Sequence, residues 1–198
     1  MPPLKGAVFD LDGTVVDSEG LKFRSLVETL GEYGVELDRE EFMSKWVGRG
    51  LGFTEGLERH GLIVHYDDIW KRQTELYMGY IEGELELKPG VIASMEALSE
   101  RGMKLGLATG SRNVFMDATI GRFGLDRYLE VALSGYDVPA NKPAPDVYEG
   151  AVRRLGLVPG ECVAFEDSRA GMLSRSPRPV PGCVRWSPCW RWVPSTPT

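Results

Sequence analysis

The sequence predicts an α/β protein: a Rossmann-like, doubly wound parallel sheet with an all-helical cap inserted after its first strand. Three observations predict it. Short apolar runs alternate with stretches of helical periodicity, the pattern of parallel strands joined by crossover helices. A long helical block, residues 18–86, interrupts the alternation after the first run. Acidic, hydroxyl and lysine clusters follow the apolar runs, at the strand ends where open α/β sheets bind ligands.

The elements follow in order. Ala7-Val8-Phe9 is a continuous apolar run bounded by polar residues, as expected of a strand buried on both faces. From Ser18 the period changes: Phe23, Leu26, Val27, Leu30 and Tyr33 fall on one helical face, with Gly34 as a stop. Residues 38–82 continue as broken helical segments separated by glycines ("WVGRGLGFTEGLERHG"), then the helical "DDIWKRQTELYMGYIE". After "KPGV", Val91, Met95 and Leu98 line a helix that Gly102 ends. "MKLGLATG" reads as a second buried strand, with a helix after it through about Phe123, and "YLEVALSG" as a third strand. "APDVYEGAVRRLG" is a helix with Pro145 near its first turn and Gly156 after its last, and "ECVAFEDS" is a fourth strand. The expected organisation is a catalytic core over residues 1–17 and 87–173, a cap over 18–86 and an aberrant tail over 174–198.

That tail, "SRSPRPVPGCVRWSPCWRWVPSTPT", holds six of the 13 prolines, three of the five tryptophans and no acid, and no helix or strand template fits it. One reading is a disordered tail, although such tails are usually poor in tryptophan. The other is out-of-frame translation. Back-translating Pro179 to Trp190 and reading two bases later permits Gly-Ala-Gly-Val-Arg-Ala-Val-Val-Ala-Val-Leu, a glycine turn and a buried strand. The final Leu is forced by the Cys189 and Trp190 codons.

The composition sets outer limits. The 198 residues, 42% hydrophobic and 26% charged, suit a soluble globular protein with a sizeable core. A formal charge of −6 argues against nucleic acid as the main partner. No apolar run is long enough to span a bilayer, and "MPPLKGAVFD" does not read as a signal peptide, so the cytoplasm is expected. Cys162, Cys183 and Cys189 have no framework or zinc-site spacing and are expected as free thiols.

Four clusters occupy the ends of the four strands: Asp10/Asp12, Thr109-Gly110-Ser111, Lys142 and Glu166-Asp167. Each has an ordinary explanation alone, such as a helix N-cap or a solvated lysine. A calcium loop does not fit Asp10-x-Asp12-Gly13, where the glycine is fourth and a strand precedes. Their common position argues for one site. Asp10, Glu166 and Asp167, with the backbone carbonyl of Asp12, make a hard oxygen set suited to Mg²⁺. Lys142, the Thr109 hydroxyl and the N–H groups of Gly110 and Ser111 can hold phosphoryl oxygens. One aspartate can attack phosphorus, and its neighbour can move the proton.

In this order, "DLDGT", "ATGS", "NKPAPDVY" and "FEDS" resemble the four signatures of the haloacid dehalogenase superfamily, in its phosphatase and β-phosphoglucomutase-like branch with a helical cap. The resemblance covers about residues 4–173. It implies Asp10 as nucleophile, Asp12 as general acid and base, Thr109 and Lys142 as phosphate ligands, and Glu166 and Asp167 at magnesium. The implied function is Mg²⁺-dependent hydrolysis of a small phosphorylated metabolite, of the sugar phosphate or phosphoglycolate type; a monomer or weak homo-oligomer is expected, although no residue pattern speaks to it. Mutase-like relatives commonly have a histidine where this chain has Lys22, which lowers the case for a phosphomutase. Lys22 and Arg49 are the candidate cap contacts to substrate, with His60 and Tyr77 behind them. A non-catalytic protein damaged at its C-terminus is the alternative of another class.

Overall fold

A computed structural model describes residues 3–43, 53–174 and 185–188, with backbone alone for the last four. The first apolar run forms β1 (Gly6–Phe9), and the other predicted strands form β2 (Lys104–Thr109), β3 (Val131–Ser134) and β4 (Cys162–Glu166). All pair in parallel, and the sheet order is β3-β2-β1-β4 with β5 (Arg185–Pro188) beyond β4. β1 is therefore central, which explains its unbroken apolar run: neither face meets water.

β5 corrects the sequence reading, which found no strand in the tail. It pairs with β4 from Val163↔Arg185 to Glu166↔Pro188. Pairing through the backbone does not require apolar side chains, and Pro188, which has no N–H, stands at the end of an outer strand where proline is tolerated. The rest of the tail, including Cys183 and Cys189, lies outside the described residues.

The two faces of the sheet carry separate apolar clusters. Val8, Ala108, Leu133 and Ala164 pack against Val147, Tyr148, Ala151 and Val152 of α7 (Asp146–Arg154). Ala7, Phe9, Leu105, Leu107 and Val163 face the opposite way, with α5 (Val91–Glu100) and α6 (Asn113–Phe123) supplying Met95, Phe115 and Met116. Small residues allow close approach: a Cβ on Gly150 of α7 would lie 2.7 Å from Leu133 of β3.

The inserted cap is helical throughout its described part. It runs from α1 (Glu19–Gly31) through the short α2 (Arg39–Glu41) and α3 (Phe53–Arg59) to α4 (Tyr66–Gly83). Leu26, Leu30, Leu37, Phe42, Leu57 and Ile69 form its own cluster. The second half of α4 belongs elsewhere. Tyr77 and Ile81, with Leu85 just beyond the helix, are buried in the same cluster as Phe9, Leu107 and Phe115, so one apolar body spans helix and sheet.

Because Ile81 is fully buried in that shared cluster, Ile81→Ala is expected to lower the unfolding free energy by about 2–5 kcal/mol. Urea denaturation measures it; a loss under about 1 kcal/mol would mean that α4 is not anchored there.

Candidate active site

Parallel strands bring all their carboxyl ends to one edge of the sheet, so residues far apart in sequence become neighbours. Asp10 directly follows β1, and its N–H donates to the Phe165 carbonyl of β4 at 2.9 Å, which fixes the backbone there. The spacing of Asp10 and Asp12 now has a cause. Leu11 between them is buried in the core, while both aspartates line a cavity of about 350 Å³ between sheet edge and cap.

Lys142 reaches this floor from the loop after β3. Its ammonium donates to Asp10 Oδ1 at 2.6 Å and to Glu166 Oε2 at 2.8 Å, with the lysine side chain 8% exposed. The loop is itself pinned: Asn141 Oδ1 accepts from the Lys142 N–H and Asn141 Nδ2 donates to the Gly110 carbonyl. Gly135 makes room for this, since a Cβ there would lie 2.0 Å from Asn141 Oδ1.

Asp10, Glu166 and Asp167 each offer a carboxylate oxygen, all within 4.8 Å of one another. Two glycines keep the acids in place. Gly13, at φ +79°, would put a Cβ 2.1 Å from Asp167 Oδ2, and a Cβ on Gly171 would lie 1.8 Å from Glu166 Oε2. Thr14 donates to Asp167 Oδ1 at 3.0 Å, and the Ser168 N–H donates to Glu166 Oε1 at 2.8 Å. At the metal Asp12 is expected through its backbone carbonyl, not its carboxylate. Its carboxylate is turned to Ser18 (2.6 Å), Lys22 (2.7 Å) and Ser111, outside the three-acid cluster. Only its backbone carbonyl is left for that role.

The surroundings divide the acids by charge. The Asp10 carboxyl is pushed up to about 7: burial raises it against the pull of Lys142, with Glu166 and Asp12 adding to the rise. Burial alone would also raise Asp12, but the Lys22 ammonium and the Ser111 and Ser18 hydroxyls outweigh it and hold the group below its ordinary value. Burial raises Asp167 despite the Thr14 hydroxyl. For Glu166 and Lys142 burial opposes charge in both, and their attraction to each other, with Asp10 adding to the pull on lysine, wins: the acid is lowered and the base raised.

Of the predicted phosphate ligands, Gly110, Ser111 and Lys142 line the cavity. Thr109 stands behind them, fully buried, its hydroxyl accepting from the Ser111 N–H at 3.0 Å. Lys22, read from the sequence as a substrate contact, lines the cavity and has its ammonium between Asp12 and Ser111 Oγ (2.8 Å). Tyr77 lines the cavity, whereas His60 sits 3.6 Å from Glu41 within the cap and does not. Arg49 lies outside the described residues.

Sequence reasoning missed Asn141 and Tyr148, although both stand inside the quoted "NKPAPDVY". It also missed Arg112. That guanidinium leaves the N-cap position of α6, lies 4.0 Å from the Trp70 ring centroid and 4.8 Å from that of Tyr136, and donates to the Tyr66 hydroxyl at 2.7 Å. It ties core to cap, a role that no spacing in the sequence announces.

Arg112→Ala is expected to raise amide exchange over residues 66–70 severalfold while leaving β1 and β2 protected. Unchanged exchange there would mean that the tie carries no weight.

Residues 4–174 match the haloacid dehalogenase-like hydrolase family. The chain is 32% identical over 182 residues to protein CbbY of Rhodobacter capsulatus, covering 86% of this chain and 80% of that protein. It is 30% identical over 173 residues to the phosphorylated carbohydrates phosphatase of Thermotoga maritima, covering 85% and 79%. The crystal structure of CbbY from Rhodobacter sphaeroides in complex with phosphate superposes with a TM-score of 0.74 at 29% identity, over 86% of this chain and 81% of that one. With its four motifs gathered on one sheet edge beneath a helical cap, the chain belongs to the haloacid dehalogenase-like hydrolases, in their phosphatase and β-phosphoglucomutase-like branch, and is a phosphoric monoester hydrolase.

Proposed function

We propose that this enzyme is a Mg²⁺-dependent phosphatase that hydrolyses a small phosphorylated metabolite, of the sugar phosphate or phosphoglycolate type, through an aspartyl-phosphate on Asp10. The observation that carries the reading is the buried Asp10 carboxylate, held by Lys142 at 2.6 Å and clustered with Glu166 and Asp167. Relatives named for fructose 1-phosphate and for hexitol phosphates support the substrate class.

The donor set fits magnesium. Asp10, Glu166 and Asp167 present only hard carboxylate oxygens, and their proximity is repulsive unless a cation offsets it. When bound there, Mg²⁺ supplies the positive charge that keeps Asp10 ionised and neutralises a phosphoryl oxygen. Every other part of the chemistry falls to the chain. Lys142 and the N–H groups of Gly110 and Ser111 hold the phosphoryl group. A carboxylate oxygen of Asp10 attacks phosphorus while the ester oxygen leaves, taking a proton from Asp12. Water then attacks the aspartyl-phosphate, Asp12 takes up the water's proton, and phosphate departs with Asp10 regenerated. Lys22, Ser18 and Ser111 favour ionised Asp12, the form that this second half needs; the first half needs the protonated form, so substrate must loosen these contacts. The cap covers the cavity with Trp70, Tyr77, Phe42 and Phe53, an apolar wall that limits water near the reacting atoms.

Among the described residues no helix is long and apolar enough to cross a membrane. The reading places the enzyme in the cytoplasm, acting on a small molecule as a monomer or weak homo-oligomer.

The test is release of inorganic phosphate from a panel of small phosphomonoesters with and without Mg²⁺. Turnover is expected to need the metal and to fall at least about a thousandfold in Asp10→Asn. Lys142→Ala is expected to lower kcat/KM by about 10²–10³ and to weaken inhibition by phosphate. Substantial turnover by Asp10→Asn would remove Asp10 as nucleophile, and a phosphorylated isomer in place of free phosphate would assign a mutase.

A further inference from the structure

Tyr148 takes part in none of these steps, yet its side chain is 1% exposed and its hydroxyl stands in the charged floor. The hydroxyl donates to Glu166 Oε2 and accepts from Lys142 Nζ at 3.1 Å. The three N–H bonds of the Lys142 ammonium thus have three acceptors: Asp10 Oδ1, Glu166 Oε2 and the Tyr148 oxygen. The same ammonium lies 4.7 Å from the Tyr148 ring centroid, so ring and hydroxyl both face it. Glu166 Oε1 accepts from the Ser168 N–H, which leaves Oε2 as the oxygen shared by phenol and ammonium.

We propose that Tyr148 is a positioning residue for the reaction: its hydroxyl divides the Lys142 ammonium between Asp10 and Glu166, and so keeps Glu166 available to a divalent cation. The inference rests on the phosphatase reading of this site. The physical argument is one of competition. A buried ammonium must place every N–H on an acceptor. Without the hydroxyl, one N–H of Lys142 is left over, and the nearest strong acceptors are the carboxylates it already touches. The ion pair with Glu166 then tightens, and a carboxylate held closely by lysine competes poorly for a cation. A neutral hydroxyl at that point satisfies both partners without adding charge.

The ring and the hydroxyl can be separated. Tyr148→Phe keeps the ring, its packing on the sheet and its face toward Lys142, and removes one oxygen. Tyr148→Leu removes both.

The experiment measures Mg²⁺ binding to the full chain by titration calorimetry without substrate, then Mg²⁺ activation of turnover, in wild type and both variants. Partners that orient metal ligands typically contribute 10–100-fold in metal affinity. Tyr148→Phe is therefore expected to weaken Mg²⁺ binding about tenfold, with kcat at saturating Mg²⁺ within about threefold of wild type. Tyr148→Leu should lose at least as much Mg²⁺ affinity. A purely structural tyrosine would lower the melting temperature and leave the Mg²⁺ affinity alone. Wild-type Mg²⁺ affinity in either folded variant overturns the proposal. Absence of Mg²⁺ binding in the wild type itself would overturn the metal reading on which the proposal stands.

Discussion

The contact on which the site depends is the Lys142 ammonium between Asp10 and Glu166, 2.6 and 2.8 Å away. Breaking a buried ion pair by removing one partner usually costs about 3–5 kcal/mol, because the other charge is left without compensation. Here one cation serves two acids, with Asp167 beside them as a third. The remaining imbalance is negative, the electrostatic condition for holding a cation. The neighbouring backbone is shaped around this arrangement. Gly171 leaves space for Glu166, Gly13 for Asp167, and Gly135 for the Asn141 that pins the lysine loop. A side chain at any of these points would collide with a group that the charge balance requires.

The parallel sheet is what makes such a cluster affordable. Lys142 and Asp10 are far apart in the chain and meet only because β1, β3 and β4 end on the same edge. Asp10 has its N–H on the β4 carbonyl of Phe165, and Gly135 has its N–H on the β2 carbonyl of Thr109, so hydrogen bonds of the sheet type continue into the loops that carry the chemistry. The aspartate is thus held by strand geometry before any side chain is considered. That rigidity lets the acids stay close without relaxing apart.

Much of this was legible in the sequence. Four apolar runs announce four strands, because a strand buried on both faces has no polar side to alternate with, and the runs ending in Asp10, Thr109 and Glu166 locate the reacting edge. What was not legible depends on where side chains turn once packed. Lys22 lies on the cap's first helix and looks free for substrate; only the fold shows it on Asp12. That the Thr109 hydroxyl also accepts from the Ser111 N–H is not visible from its position in the sequence. Tyr148 reads as a core residue of an amphipathic helix, which it also is, and its hydroxyl escapes any periodicity argument. β5 escapes for a different reason: an outer strand can be built from backbone pairing with proline and polar residues in it, so pattern carries little information there.

The cap is held by two kinds of contact with different consequences. Near its return to the core, Tyr77, Ile81 and Leu85 share one dry cluster with the sheet, and separating them would expose apolar surface at roughly 25 cal/mol per Å². At the other end, the ties are polar: Arg112 on Tyr66 and Trp70, and Lys22 on Asp12 and Ser111. Water or a phosphoryl group can replace a polar tie at little net cost, since the donors are satisfied either way. Neither can replace an apolar one. The polar ties at the cavity are therefore contacts that a ligand can exchange, while the apolar cluster that joins cap and core, which reaches the cavity at Tyr77 and Phe115, is not.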